Sequence, residues 1–329
     1  MGPGASHHMD LIDILLATYN GAAYLEEQLE SIAAQTHERW CLIVRDDGST
    51  DESPQIIESF RARYPDSVVV LHDEDGNLGY VGNFSRLMEN STAPYAAFCD
   101  QDDIWIPEKL ELSLARMHEM ERRHGADTPL LVFTDLTVVD QKLRILHPSY
   151  WRRYKLRPER SASLNRLLLQ NPVAGCTTLI NRPLLGLTAP IPSDAHVHDW
   201  WVVLSAAAFG AVDGITRSTV LYRQHSGNAI GAAGHRLRVF PLRFDRFAEA
   251  VRVARVSTAK KLSRGRVFLA HFGERLSNSQ IQILRAFLCF PESSLLRRVM
   301  ILISYRLAPT GLWRSCLFVL ASLGPPDRR

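Results

Sequence analysis

The sequence predicts an α/β fold, a mostly parallel central sheet with flanking helices, followed by a C-terminal helical region. Three observations predict it. Between residues 11 and 99, short apolar runs alternate four times with stretches of helical periodicity, the pattern of βαβ units. Three of those runs end in polar clusters, at 18–21, 46–51 and 100–103, and open parallel sheets bind ligands beyond the carboxyl ends of their strands. After residue 231 the balance of charge changes sign: residues 232–329 hold 18 Lys+Arg against 5 Asp+Glu, and the rest of the chain holds 20 against 30.

The elements follow in order. Residues 1–9 read as the remnant of an expression tag and carry no fold information. Residues 11–17 form an apolar strand that contains one acid, Asp13, and ends in the turn signal Thr18-Tyr19-Asn20-Gly21. A helix follows with Leu25, Leu29 and Ile32 on one face. Residues 40–44 make a second strand, ending in Arg45-Asp46-Asp47-Gly48-Ser49-Thr50-Asp51, and a helix runs from 53 to 63. Residues 68–71 are a third strand; Asn77-Leu78-Gly79 then opens a helix. The fourth strand, 95–99, runs into Asp100-Gln101-Asp102-Asp103. A helix from Pro107 to about 123, a strand at 130–134, a loop at 147–160, a strand at 178–181, a helix at 200–209 and a short strand at 220–223 complete the body.

Alternate residues of an extended chain point the same way, so Asp100 and Asp102 project together from the end of a strand. Adjacent carboxylates repel unless a cation neutralises them, and hard oxygen ligands suit Mg²⁺ or Mn²⁺ shared with a substrate's phosphates. The alternative is a polar turn before a helix. The motifs of dinucleotide dehydrogenases and P-loop NTPases are missing: Gly76, Gly79 and Gly82 do not have the dinucleotide-binding spacing, and no Gly-Lys-Ser/Thr occurs. The 329 residues are 46% apolar and 22% charged, as in soluble globular proteins. Five cysteines at 41, 99, 176, 289 and 316 have no metal spacing, which favours a reducing cytosol.

Taken in order, Thr18-Tyr19-Asn20-Gly21, Asp46-Asp47-Gly48-Ser49, Asn77-Leu78-Gly79, Asp100-Gln101-Asp102-Asp103, His198-Asp199-Trp200 and Arg223-Gln224-His225 resemble the inverting glycosyltransferases of family 2, with the GT-A fold, and most closely their rhamnosyltransferase branch. The resemblance covers residues 10–231, taken as the catalytic domain. It implies a nucleotide-sugar donor, dTDP-L-rhamnose ahead of a UDP-sugar, an Mg²⁺ or Mn²⁺ ion, and a glycan or lipid-linked acceptor. By the same resemblance Thr18, Tyr19, Asn20 and Asp46 meet the nucleoside, Asn77 and Gly79 border it, and Asp100 and Gln101 lie at the ribose and sugar. Asp102 and His225 take the metal, and Asp199 is the catalytic base. Each has a structural alternative: Asp199 as a helix cap, His225 as a buried, satisfied histidine, Asp46 as a turn cap. Asp103 is expected to cap the helix after it or to hold the acidic loop, and His196 and His198 to be ordinary loop residues.

Residues 232–329 read as a basic amphipathic helical region that meets an anionic membrane surface or a second copy of the chain. This places the enzyme in the cytoplasm, peripheral on the inner face of the membrane. Two rivals use other features. A nucleic-acid-binding protein would use the basic tail, but that tail lacks a stacking or zinc motif, so no nucleic acid is expected. A nucleotidyltransferase would release pyrophosphate instead of a nucleoside diphosphate.

Overall fold

The computed structural model describes residues 10–158, 163–225, 244–307 and 318–319. The chain divides into two compact units. One comprises Met1–Arg153 with Val173–Ser226, the other Tyr154–Pro172 with Gly227–Arg329.

In the first unit, strand and helix alternate as expected: β1 (Ile12–Thr18), α1 (Leu25–Ala33), β2 (Trp40–Asp46), α2 (Ser53–Arg63), β3 (Val68–Val70), α3 (Gly79–Asn90) and β4 (Tyr95–Asp100). β1 lies between β2 and β4 and is parallel to both, and β2 is parallel to β3. These strands are apolar on both faces because helices cover both. Ile12, Ile14 and Leu16 pack in one cluster with Leu25, Leu29, Ile57 and Phe60. On α3, Phe84 meets Phe98 of β4 edge to face at 5.5 Å. The acid inside β1 is buried and satisfied: Asp13 accepts hydrogen bonds from Ser91 Oγ, Thr92 N and Ala93 N at 2.7–2.8 Å. That carboxylate pins the turn between α3 and β4 to the first strand.

The second half of this unit departs from the expected outline. A two-residue strand β5 (Ile104–Trp105) precedes α4 (Lys109–His124). The strand expected at 130–134 extends to β6 (Leu130–Asp140), with a short β7 (Ile145–His147) folded back on it. The expected loop at 147–160 contains a turn of helix, α5 (Tyr150–Tyr154). β8 (Thr178–Asn181) pairs antiparallel with both β4 and β6. α7 (Arg182–Thr188) and α8 (His198–Phe209) follow, the latter starting two residues earlier than expected, after a short α6 (Leu164–Leu167) in the other unit. The last strand is not confined to 220–223. It runs as β9 (Ala211–Gln224), parallel to β6 along its length with irregular register around Asp135. Ala211-Val-Asp-Gly-Ile-Thr-Arg has no clean alternation; its partner β6, about 80 residues away, makes it a strand. The described strands form one sheet in the order β3-β2-β1-β4-β8-β6-β9-β5, with β7 on β6.

In the second unit, α9 (Phe244–Phe272), α10 (Asn278–Cys289) and α11 (Leu295–Ser304) are the long described helices. Ser277 opens α10 with a capping box, its hydroxyl facing Gln280 N while Gln280 Oε1 accepts from Ser277 N. Phe268, Phe272, Leu284, Phe287 and Phe290 form the buried centre. Gly265 lets α9 approach α10 closely: a Cβ there would lie 3.1 Å from the Phe287 ring. Among the described residues no helix is long and apolar enough to cross a membrane. Of the basic tail expected at 232–329, residues 232–243, 308–317 and 320–329 lie outside the described residues, as does the boundary at 231.

Candidate active site

The register of three strands gathers the candidate residues. Thr18 at the end of β1 lies opposite Asp46 at the end of β2, and Ala17 lies opposite Asp100 at the end of β4. Parallel neighbours are about 4.8 Å apart, so the three polar loops start from one edge of the sheet, where its order turns about β1.

Each loop is braced by the next. Gln101 grips the turn after β1: its Oε1 accepts from Thr18 Oγ1 at 2.8 Å and Tyr19 N at 2.7 Å, and its Nε2 donates to Tyr19 O at 3.1 Å. Gly21 sits so close that a Cβ would fall 2.4 Å from Gln101 Oε1. On the other side, Asn20 N donates to Ser49 Oγ at 2.7 Å and Asn20 Oδ1 accepts from Thr50 N at 2.8 Å. Asp46 accepts from Ser49 N and Oγ at 2.8 and 2.5 Å. The turn-capping geometry of Asp46 is therefore present, and the residue is half-buried at the end of β2.

The segment 73–79 hangs on one guanidinium. Arg45, 2% exposed, donates to Asp73 through Nε and Nη2 at 2.7 and 2.8 Å, to Asp47 Oδ1 at 2.6 Å and to Gly76 O at 3.0 Å. The ion pair holds Asp73 down at about 2. Asn77 Nδ2 donates to Asp47 O at 2.9 Å, and Asn77 Oδ1 accepts from Gly79 N at 3.2 Å. Gly79 has φ +68°, a conformation that favours glycine.

The acidic cluster lies at the opposite end of this belt. Asp102 Oδ2 is 2.8 Å from His225 Nε2, and the His225 ring packs on Tyr24 at 4.7 Å. Burial, then the charges of Asp102 and Asp199, push Asp100 up to about 7. Asp199, in the first turn of α8, is thus close enough for its field to act on Asp100. The structure brings Asp100, Asp102, Asp199 and His225 into one neighbourhood. His198 is not an ordinary loop residue. It is 6% exposed and stacked on Phe84 at 3.9 Å, and burial pushes its pKa down to about 3, so it stays neutral beside Asp199. Gly175 makes room for it: a Cβ there would lie 2.7 Å from His198 Nε2.

Three residues without an assigned role prove central. Arg223, also 2% exposed, donates from Nε to Asp102 O at 3.0 Å and from its backbone N to Asp103 Oδ1 at 3.1 Å. Nη1 reaches Gln141 O at 2.9 Å, and Nη2 pairs with Glu27. It fixes the main chain of the acidic loop. Cys176 lies with Asp100 and Asp103 in a group whose polar atoms are all within 4.8 Å of one another. Lys109 is fully buried, its Nζ 3.9 Å over the Trp105 ring and within the field of Asp103, and burial pulls its pKa down to about 8. A lysine within an otherwise apolar helical face after the acidic motif was the readable signal for it. Asp103 itself is fully buried and holds the acidic loop, as expected.

Asp102 Oδ2 and His225 Nε2 are an oxygen and a nitrogen of the kind a divalent ion accepts, while among the described residues the three ligand atoms that lie within 4.8 Å of one another belong to Asp100, Asp103 and Cys176.

The family model for glycosyl transferase family 2 matches residues 13–181. The chain belongs to glycosyl transferase family 2. This family 2 chain is 28% identical over 228 residues to a dTDP-rhamnosyl transferase, RfbG, of Shigella flexneri, covering 66% of this chain and 74% of that one. It is also 28% identical over 200 residues to an uncharacterized glycosyltransferase of Rickettsia prowazekii, covering 58% and 57%, so it spans little more than half the length of that relative. Among solved structures it is similar to S. aureus TarS 1-349 in complex with UDP-GlcNAc. The TM-score is 0.52 at 17% identity, over 91% of this chain and 90% of that one. The fold is that of GT-A glycosyltransferases.

Proposed function

We propose that the protein is an inverting, divalent-cation-dependent glycosyltransferase. It moves L-rhamnose from dTDP-L-rhamnose to a hydroxyl of a cell-envelope glycan or lipid-linked acceptor, at the cytoplasmic face of the membrane. The observation that carries the chemistry is the meeting of Asp100, Asp102 and Asp199 at the carboxyl edge of the sheet. The similarity to the Shigella dTDP-rhamnosyl transferase supports the donor.

The pocket rim formed by Thr18, Tyr19, Asn20 and Asp46 receives the nucleoside, with Asn77 and Gly79 shaping its far side. Asp102 and His225 would hold the ion, with Asp100 beside them at the ribose and sugar; a divalent ion there would supply positive charge to a diphosphate leaving group. Asp199 removes the proton from the acceptor hydroxyl while that oxygen attacks the anomeric carbon from the face opposite the diphosphate. The new C–O bond forms as the bond to the diphosphate breaks. The nucleoside diphosphate leaves and the anomeric centre inverts. Such general-base assistance contributes roughly 10²–10⁴ in rate. The amide dipoles in the first turn of α8 favour the carboxylate anion this role requires.

The test is transfer and donor hydrolysis across dTDP- and UDP-sugars. dTDP-L-rhamnose is expected to turn over fastest and to release dTDP. Preference for a UDP-hexose or UDP-N-acetylhexosamine would move the donor within the same chemistry, and release of pyrophosphate would overturn it. Asp199→Asn keeps donor binding and loses transfer, whereas Asp102→Ala weakens diphosphate binding. An Asp199→Asn enzyme that transfers at the parental rate removes Asp199 from the mechanism.

A further inference from the structure

Helix α11 has the sequence Leu-Leu-Arg-Arg-Val-Met-Ile-Leu-Ile-Ser, and it is turned inside out. Leu295 is 64% exposed, Leu296 72%, Val299 45%, Met300 52% and Ile303 72%. At 3.6 residues per turn these five fall in one sector roughly 140° wide. The inward side carries Ile301 and Arg298, both buried. Arg298 Nη2 donates to Pro291 O at 2.5 Å and its guanidinium lies 5.8 Å from the Phe290 ring. The helix thus buries an arginine and turns five aliphatic side chains outward. No charged side chain interrupts the outward sector; Arg297 and Arg306, both exposed, border it.

Area and charge select what covers this face. Five half- to three-quarter-exposed aliphatic residues present on the order of 500 Å², a contiguous apolar patch of the size that marks interaction sites. A stable protein pair buries about 800 Å² on each partner, more than this face offers. A second copy would also bring the same excess of 18 Lys+Arg over 5 Asp+Glu in residues 232–329, so two such regions repel. An anionic bilayer surface needs no minimum protein area, and its charge complements the arginines. Ten residues rise about 15 Å, half of the ~30 Å hydrocarbon core, so the helix can lie at the interface but cannot cross it. Within residues 250–266, by contrast, Val253 and Val256 are the only exposed large apolar side chains. Within the described tail the apolar stripe therefore lies on α11, not on 250–266.

We propose that the outward face of α11 is a bilayer-docking surface. It seats Leu295, Leu296, Val299, Met300 and Ile303 in the acyl boundary of an anionic leaflet, with Arg297 and Arg306 at the headgroups. The proposal does not depend on the donor or on the catalytic residues.

The test is co-sedimentation of the full chain with phosphatidylcholine vesicles, with and without one-third phosphatidylglycerol. The parental protein is expected to sediment with the anionic vesicles and to be released by salt. Leu296→Gln/Ile303→Gln is expected to lose at least ten-fold in binding while keeping its circular dichroism and donor hydrolysis. Arg297→Gln/Arg306→Gln is expected to bind more weakly and with less salt sensitivity. Hydrogen exchange of the parental chain gives a check without variants: the amides of 295–304 slow when anionic vesicles are added. Unchanged exchange, or parental vesicle binding by the glutamine pair, overturns the proposal. So does a dimer in light scattering that the glutamine pair dissolves while the parental protein ignores vesicles.

Discussion

Replacing Gln101 by alanine removes three hydrogen bonds that hold the turn after β1, two to the Tyr19 main chain and one from Thr18 Oγ1. Each is worth roughly 0.5–1.5 kcal/mol. Two involve partly exposed atoms that water can satisfy, so the loss of loop order comes to about 2 kcal/mol. If nucleotide binding must restore that order, affinity falls roughly thirty-fold, at about 1.4 kcal/mol per decade. Gly21→Ala strikes the same joint from the other side. Its Cβ would land 2.4 Å from Gln101 Oε1 and 2.6 Å from Cδ, so the amide must swing away and give up the same bonds. The two substitutions are therefore expected to be non-additive: Gly21→Ala costs affinity in the parental chain and almost none in Gln101→Ala. Gln101→Glu, which keeps the acceptor and loses the donor, falls between. Isothermal titration with dTDP and Mn²⁺ across the four-member cycle measures this, with thermal melts confirming folding. Additive losses, or parental affinity in Gln101→Ala, refute the reasoning.

The remaining expectations concern charge. Burial first, then Asp102 and Asp199, raise Asp100 to about 7 from 3.8. The native chain holds that proton more tightly than the unfolded one, so metal-free stability falls as pH rises from about 4 to 7 and levels off above. Mn²⁺ relieves the repulsion only where Asp100 is ionised. Its effect on Tm is therefore larger near pH 8 than near pH 5.5, and equal shifts would count against the pocket as an ion site. Burial raises Asp103 well above the usual carboxylate range and pulls Lys109 down to about 8. Lys109→Met therefore removes a buried charge without stranding an ionised partner and is expected to leave urea unfolding close to parental; a loss of several kcal/mol would show an ionised Asp103 that depends on Lys109. Arg45→Met strands Asp47 and Asp73 and costs about 3–5 kcal/mol, while Arg45→Lys keeps the charge without the paired geometry and costs less. The share owed to Asp73 is present above about pH 4 and fades as pH falls towards 2.

The parallel half of the sheet and the loops at its carboxyl edge were legible in the sequence, because each strand there is a short apolar run closed by a turn signal. β9 extends well before the apolar run at 220–223 because Asp213, Gly214 and Arg217 hide its period, and only pairing with the distant β6 makes those residues a strand. β5 and β7 are two and three residues long, below what a pattern can reveal. Within the site, residue types were readable but not their spending. Gln101 and Asn77 looked like ligand contacts, yet most of their hydrogen-bonding capacity goes to Tyr19, Thr18, Asp47 and Gly79. His198 looked like a loop residue because nothing local foretells the aromatic slot formed by Phe84 and Phe98. Arg223 and Lys109 act through partners far away in the chain, which periodicity does not encode.

The pairing of Thr18 with Asp46 and of Ala17 with Asp100 divides the chain into parts that tolerate change differently. A residue inserted within β1, β2 or β4 would turn its terminal side chain to the opposite face of the sheet and dismantle the rim at once. A residue inserted beyond those ends would alter only what the rim encloses. Descendants of this scaffold can therefore trade one sugar or acceptor for another by lengthening loops, so long as three short strands keep count.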